Sequence, residues 1–236
     1  MTFVIAGFVK GTVGLGLPIV AITFMALPLG LKEAIAVTLV PAVTTNIWQA
    51  FAGPYLRNLT SRLWSYLALC AVGTWIGVAI LALASQQTQL SALGVILATY
   101  SLFSLTRPQI SPPGRREFYL SPLSGGIGGM MYGMTGVFMI PGVIYLQALG
   151  LRKDELVQAL GLAFIVLNLS LAFAFMEKGF ISRDITILSI AALIPAAAGV
   201  YVGQKLRKHI SEALFRTLFF SALLAAGIYF VTSAQL

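Results

Sequence analysis

The chain has 236 residues, of which 58% are hydrophobic and only 9% charged, with a net charge of +8 and a mean hydropathy of +0.93. Because a water-soluble domain carries about 25% charged residues, this composition excludes a soluble protein and predicts one embedded in a lipid bilayer. The basic residues lie in short loops between apolar segments rather than on one folded face. The positive charge therefore does not indicate nucleic-acid binding.

Apolar segments occur along the whole chain, and each approaches the roughly 20 residues that an α-helix needs to cross the hydrocarbon core. In chain order they lie at about 3–27, 33–53, 63–84, 89–106, 118–149, 156–175, 182–203 and 213–232. We number them segments 1 to 8. The sequence predicts an all-α, multi-pass protein of the inner cell membrane, with four segments in each half.

The two halves repeat one another with a constant offset of 122 positions. The pattern Gly-x-x-x-Gly-x-x-Gly occurs in segments 1 and 5, as Gly7, Gly11, Gly14 and as Gly129, Gly133, Gly136. The same offset aligns Leu29 with Leu151, Glu33 with Glu155, Asn46 with Asn168, and Gly77 with Gly199. We interpret residues 1–106 and 118–236 as two repeats joined by a cytoplasmic linker at 107–117. Such a duplication is typical of secondary transporters, which bind substrate where helices are interrupted.

The distribution of lysine and arginine favours one topology. If all eight segments cross the membrane, the basic loop residues divide seven against seven. If segments 1 and 5 dip to the midplane and return, only Lys32, Lys178 and Arg183 lie on one side. Eleven then lie on the other: Arg57, Arg62, Arg107, Arg115, Arg116, Arg152, Lys153, Lys205, Arg207, Lys208 and Arg216.

A strong basic bias marks the cytoplasmic side. The sequence therefore favours broken, re-entrant segments 1 and 5, both termini outside, and a second repeat that is inverted relative to the first. The two tips are then expected to meet near the midplane. The alternative is eight full crossings, parallel repeats and glycines that serve only for close helix packing.

The tips of segments 1 and 5 are candidate anion sites. Glycine allows a sharp turn and a close backbone approach, and the first N–H groups of the half-helix after a break attract an anion. The residues that we assign to these tips are Gly14 and Gly16 in segment 1, and Gly133, Thr135 and Gly136 in segment 5.

Lys10 is the charged side chain that lies well inside an apolar segment, four residues before Gly14. A charge at such a depth is a functional candidate by default. The alternative is a lysine whose flexible stem extends to the interface. The repeat aligns Lys10 with Tyr132, a hydroxyl donor, so the two tips are expected to differ.

Two pairs of polar residues recur at equivalent positions of segments 2 and 6. Asn46 and Asn168 are candidates for the substrate path, because a buried amide needs a partner or a wet cavity; hydrogen bonding between helices is the alternative. Glu33 and Glu155 lie in the first helical turn, where a carboxylate complements the helix dipole. We expect capping there, with proton coupling as the alternative.

These features together resemble the sulfite exporter TauE/SafE family of bacterial and archaeal membrane proteins. The shared features are the two glycine tips, a Leu-Gly-Leu-Lys or Leu-Gly-Leu-Arg turn with an acidic residue after each, and the helices that carry Asn46 or Asn168. The resemblance covers essentially the whole chain. It implies transport, commonly export, of small sulfur-containing anions such as sulfite, sulfoacetate or related sulfonates.

We therefore predict a secondary transporter that holds its anion between the two tips and works by alternating access. An anion channel or a non-transporting membrane scaffold is the alternative. An enzyme is not expected, because the acidic residues lie in loops or at helix ends. With a single cysteine, Cys70, and a single histidine, His209, no metal or cofactor is expected. The expected partners are a small anionic substrate and the bilayer, with no nucleic acid; a homodimer is left open.

Overall fold

The computed structural model describes residues 1–14, 16–106, 111–207 and 211–233. These ranges are helical without a strand, which confirms the all-α class. Residues 107–110 of the predicted linker, as well as Lys208 and His209, lie outside the described residues. The helices are α1 (Thr2–Val13), α2 (Leu17–Leu29), α3 (Leu31–Phe51), α4 (Leu56–Leu83), α5 (Gln86–Thr106), α6 (Glu117–Thr135), α7 (Gly142–Ala148), α8 (Lys153–Glu177), α9 (Arg183–Ala191), α10 (Leu193–Leu206) and α11 (Glu212–Ser233), with a 3-10 turn at Gly114–Arg116.

Six stretches of the described helices are long and apolar enough to cross a membrane, and they correspond to predicted segments 2, 3, 4, 6, 7 and 8. They are α3, α4, α5, α8, the combined α9–α10 and most of α11. The interruption between α9 and α10 lies just before Pro195, which has no N–H to donate to the carbonyl of Ala191. The eight-segment, two-repeat arrangement stays a prediction.

Segments 1 and 5 are both broken, each directly after a left-handed glycine. Gly14 ends α1 with φ 85°, and its N–H donates to the carbonyl of Lys10 at 2.7 Å. Gly136 ends α6 with φ 71°, and its N–H donates to the carbonyl of Tyr132 at 2.7 Å. The third glycine of the repeated pattern therefore ends a half-helix in both segments, because only glycine adopts this conformation without strain.

The chain forms two compact units, and each contains helices from both predicted repeats. Unit 1 comprises Met1–Pro41, Ala84–Gln109 and Ser182–Leu236. Within it α1 packs against α10 and α5 against α11. A Cβ atom at Gly7 or Gly11 would collide with the backbone carbonyl of Ala196 or Val200 in α10. The first two glycines of the pattern thus let two helix backbones come into direct contact.

Unit 2 comprises Ala42–Leu83 and Ile110–Ile181, and it contains the same kind of contact. Here α6 packs against α4, and α8 also packs against α4. A Cβ atom at Gly129 or Gly133 would collide with the carbonyl of Cys70 or Thr74. The offset of 122 aligns Gly129 and Gly133 with Gly7 and Gly11, so each half-helix before a break packs against a helix of the other predicted repeat.

The segment α6–α7 folds back on itself inside unit 2. The guanidinium of Arg62 in α4 donates to the carboxylate of Glu117, at the start of α6, at 2.7 and 2.8 Å. The same group lies 3.5 Å from the carbonyl oxygen of Leu149, just after α7. Gly142, where α7 begins, lies 3.2 Å from the Cβ position of Gly128 in α6. Both ends of this hairpin therefore lie at Arg62.

Gln158 of α8 fixes the turn between α3 and α4. Its amide nitrogen donates to the carbonyls of Ala50 and Gly53 at 2.8 Å each, and its amide oxygen accepts the Tyr55 N–H at 3.0 Å. The Arg152 guanidinium lies 5.1 Å from the centre of the Tyr55 ring. The turn before α4 and the start of α8 therefore lie at one end of unit 2.

The glycine contact in unit 2 predicts different effects for two substitutions in the same helix. Gly129→Ala drives a methyl group into the backbone of Cys70, whose Cα lies 2.9 Å from the Cβ position, so we expect a loss of about 1–3 kcal/mol. At Gly126 the nearest side-chain atom is Leu69 Cδ1 at 3.7 Å, so Gly126→Ala gains helix propensity without a clash. Thermal unfolding in detergent measures both variants. Equal melting temperatures would contradict the direct backbone contact.

Candidate functional site

The second tip joins two of the predicted site residues by a hydrogen bond. The Tyr132 hydroxyl donates to Asn168 Oδ1 at 2.7 Å, and Asn168 Nδ2 donates to the carbonyl of Phe164 at 2.6 Å. Tyr132 is 2% exposed and Asn168 is fully buried. The bond connects the last turn of α6 with the middle of α8. Asn168 therefore forms the hydrogen bond between helices that was the alternative to a place on the substrate path. Its amide can still donate a second N–H bond and accept a second bond at Oδ1.

The remaining predicted residues of this tip shape the break itself. The Thr135 hydroxyl is buried, donates to the carbonyl of Met131 at 2.8 Å and accepts the N–H of Val137 at 3.3 Å. Gly133 lies against α4, with Gly77 Cα 2.9 Å from its Cβ position. Gly136 supplies the left-handed turn. Thr135 and Gly136 therefore position the chain after α6, and Gly133 holds the half-helix against α4.

An aromatic cluster fills the hairpin beneath the second tip. The Phe138 ring is 1% exposed and lies 5.7 Å from the Phe164 ring, 6.2 Å from Tyr132 and 6.3 Å from Tyr66. Phe138 was not among the residues predicted from the sequence. The repeat aligns it with Gly16, so an aromatic side chain stands in the second tip where the first tip has a glycine.

The first tip, in unit 1, combines a buried lysine with an open glycine. The Lys10 side chain is only 9% exposed, which argues against a lysine that extends to the surface. No heavy atom of the described residues, apart from the chain neighbours, lies within 4 Å of the Cβ position of Gly14. Gly16, with φ 102°, starts α2 and contacts Val9 and Phe219. This tip has space beside Gly14. In the first turn of α2 the N–H groups belong to Leu17 and Ile19, since Pro18 has none.

The structure also buries Asn46, which is 2% exposed in the part of α3 that belongs to unit 2. This burial is consistent with both roles considered for Asn46, a place on the substrate path and hydrogen bonding between helices. Within the described ranges, no three histidine, cysteine, aspartate or glutamate side chains are grouped closely enough to hold a metal ion.

The two repeated glutamates lie at helix starts. Glu155 accepts the backbone N–H of Arg152 and binds its guanidinium, both at 3.0 Å, which forms a capping box at α8. The bond to Glu155 raises the pKa of the Arg152 guanidinium above its usual range, and the backbone and side-chain bonds from Arg152 lower the pKa of the Glu155 carboxyl. A carboxylate oxygen of Glu33 lies 2.7 Å from the Cβ position of Gly30, over the start of α3. Both placements fit capping.

A serine forms hydrogen bonds with the backbone of α3 next to Pro41. Pro41 has no N–H, so the carbonyl of Val37 lacks its helical donor. The Ser189 hydroxyl of α9 donates to that carbonyl at 2.7 Å and accepts the N–H of Val40 at 3.1 Å. Ser189 and Gln158 were not predicted from the sequence. Ser189 bonds the backbone of α3 beside Pro41, and Gln158 bonds it where α3 ends.

Comparison with known proteins assigns the family. The family description "Sulfite exporter TauE/SafE" matches residues 1–230. The chain belongs to the sulfite exporter TauE/SafE family. Membership in this family of membrane transporters, together with the six apolar helices, makes the chain a multi-pass membrane protein and confirms the resemblance inferred from the sequence. No curated protein and no solved structure matches the chain.

The Tyr132–Asn168 bond predicts energetic coupling between α6 and α8. Tyr132→Phe leaves the buried Asn168 oxygen without its donor, and we expect a loss of about 1–3 kcal/mol. Asn168→Ala should cost a similar amount, and the double variant less than the sum, because the two changes remove one bond. Unfolding of the four proteins in detergent measures the coupling. Tyr229→Phe, at a ring that is 57% exposed, is the matched control. If the losses of stability in the two single variants add up exactly in the double variant, the bond is contradicted.

Proposed function

We propose that this TauE/SafE protein is a secondary transporter that exports small sulfur-containing anions, such as sulfite, sulfoacetate or related sulfonates, by alternating access. One observation carries the proposal: in a chain of the sulfite exporter family, two glycine-broken half-helices occur at equivalent positions of a repeat. Interrupted helices of this kind bind the substrate in repeat-built transporters.

The first tip supplies the positive charge for the anion. Lys10 provides an ammonium group in a largely buried position, and Gly14 leaves open space beside it. Gly16 begins α2, whose first N–H groups have no acceptor within the helix and whose dipole favours an anion. An oxyanion at this tip would receive a charge-assisted bond from Lys10 and backbone bonds from α2.

The second tip contributes neutral polar groups. Tyr132, directly before the break, forms a buried pair with Asn168 of α8. Thr135 and Gly136 shape the turn at the break. These groups, together with the buried amide of Asn46, discriminate by hydrogen bonding rather than by charge. The two tips therefore have different roles: the first tip attracts the anion, and the second selects it.

The proposed topology has segments 1 and 5 re-entrant. The contacts of Arg62 with both ends of α6–α7, and of Arg152 with Tyr55, support this for segment 5. These contacts place five basic residues at one end of unit 2: Arg57, Arg62, Arg115, Arg116 and Arg152. Eight full crossings would instead put Arg152 and Arg57 on opposite sides of the membrane.

The membrane potential alone can drive export of an anion. Moving one charge across 100 mV yields about 2.3 kcal/mol, which corresponds to roughly fifty-fold accumulation. Glu33 and Glu155 are the alternative carriers for proton coupling, and the capping bonds of Glu155 favour a structural role. A channel with the same tips, or a scaffold without flux, is the competing function.

Flux through the first tip should depend on Lys10 and Gly14. Lys10→Met keeps the length of the side chain but removes its charge, so we expect sulfite counterflow in proteoliposomes to fall at least about tenfold. Gly14→Ala should also reduce counterflow, because φ is 85° there and a methyl group enters the open space. Gly179→Ala has the same backbone strain, at φ 71°, with the same open surroundings and is the matched control.

At matched amounts of folded protein, Lys10→Met and Gly14→Ala are compared directly with Gly179→Ala. Equal counterflow in all three variants would show that the first tip is not part of the transport path. A scaffold predicts this tolerance.

The re-entrant topology predicts the side from which introduced cysteines react. In a Cys70→Ala background, Arg57→Cys, Arg115→Cys and Arg152→Cys should all react with an impermeant maleimide from the cytoplasmic face only. Arg183→Cys should react from the outside only. Reaction of Arg152→Cys from the outside would support eight full crossings instead.

A further inference from the structure

Phe219 of α11 places an aromatic ring against the first tip. Its Cζ atom lies 3.7 Å from the Cβ position of Gly16. Side-chain carbons of Val9 and Ile19 lie 3.3 and 3.5 Å from the same position. Gly16 directly precedes Leu17, the first residue of α2, whose N–H belongs to the proposed anion site. One wall of the first tip is therefore apolar, and part of it comes from a helix that is distant in the sequence.

The two tips obtain an aromatic ring in different ways. The offset of 122 aligns Gly16 with Phe138, so in the second tip the broken segment itself supplies the ring. In the first tip the aligned residue has no side chain, and Phe219 of α11 lies next to its Cβ position instead. The ring at the first tip thus belongs to a residue outside the turn. It can be replaced without any change to the left-handed glycines.

Neighbouring rings hold Phe219 in place. Its ring is stacked on that of Phe215, with centroids 6.2 Å apart and planes 9° from parallel. Phe8 of α1 packs edge-on against Phe215 at 6.3 Å, so a second phenylalanine of α11 contacts the first broken segment. Both distances are typical of favourable aromatic pairs. The Phe219 side chain is only half-buried, which leaves part of its ring available to a guest.

The opposite side of α11 is packed against α5. A Cβ atom at Gly94 of α5 would lie 2.7 Å from the carbonyl oxygen of Gly227, so the two backbones are in direct contact. On the same helix pair the ring of Phe220, 9% exposed, lies 5.3 Å from the ring of Tyr100. Two adjacent phenylalanines of α11 therefore have different neighbours: Phe220 packs on α5, and Phe219 meets the first tip.

We propose that Phe219 is a specificity-determining residue of the first tip, which limits the size of the uncharged group that the transported anion carries. The proposal rests on the proposed function as an anion transporter. Lys10 and the first N–H groups of α2 bind the charged head, and the Phe219 ring forms the wall toward which a substituent extends. Sulfite has no substituent and fits beside the ring, whereas the chain of a longer sulfonate collides with it.

Competition in counterflow measures this size limit. Methanesulfonate and butanesulfonate each inhibit the uptake of labelled sulfite, and the ratio of their inhibition constants does not depend on the amount of active protein. Phe219→Leu should shift this ratio at least about tenfold in favour of butanesulfonate, because a few carbon atoms of space are worth that much in an apolar pocket. Phe219→Trp should shift the ratio in the opposite direction. Phe220→Leu removes the adjacent ring on the α5 side and is the matched control.

The outcomes separate the size limit from transport itself. Wild-type flux with the same ratio in Phe219→Leu and Phe219→Trp would overturn the size limit and keep the transporter. Equal shifts in Phe219→Leu and Phe220→Leu would also overturn it, since they would arise from the packing of α11. If wild-type vesicles show no sulfite flux, displacement of labelled sulfite from purified protein gives the same ratio. The predicted shift there would support the size limit and contradict transport, and absence of sulfite binding to folded protein would overturn both.

Discussion

Direct contact between helix backbones, made possible by glycine, is the constraint on which both units depend. A half-helix that ends inside the protein has free carbonyls at its last turn, and hydrocarbon cannot satisfy them. Such a half-helix must be held by a neighbouring helix. Gly7 and Gly11 lie directly on α10, and Gly129 and Gly133 lie directly on α4. The third glycine of each pattern then ends its half-helix, and its own N–H donates to the carbonyl four residues before it.

The repeated pattern therefore combines two functions that the sequence analysis had treated as alternatives. Close packing and interruption of the helix are both present, carried by different glycines of the same pattern. The helix that supports each half-helix, α10 or α4, comes from the other predicted repeat, so each compact unit contains helices from both predicted repeats. Loss of either glycine contact should free the end of that half-helix from its neighbouring helix. The close packing is therefore required for the proposed anion site and does not compete with it as an explanation of the glycines.

The sequence was sufficient for the features that follow from local rules. Apolar length predicted the six long helices, and the third glycines predicted both breaks. The pairing of Tyr132 with Asn168 could not be predicted, because it depends on which face of α6 meets α8. Ser189 and Gln158 could not be found either, since a lone polar residue in an apolar segment does not show which distant carbonyl it will satisfy. Phe138 is aligned by the repeat with Gly16, a different residue type, so comparison of the two halves did not point to an aromatic side chain at this position.

Counterflow of wild-type protein in proteoliposomes tests the central claim most directly. Vesicles preloaded with sulfite are given labelled sulfite outside, with sulfoacetate, other sulfonates, thiosulfate, sulfate and chloride as competitors. The account predicts saturable uptake of label that sulfur-containing oxyanions block and chloride does not. Uptake that fails to exceed that of protein-free vesicles, with folded protein present, or a conductance without saturation or exchange, would contradict a carrier for these anions.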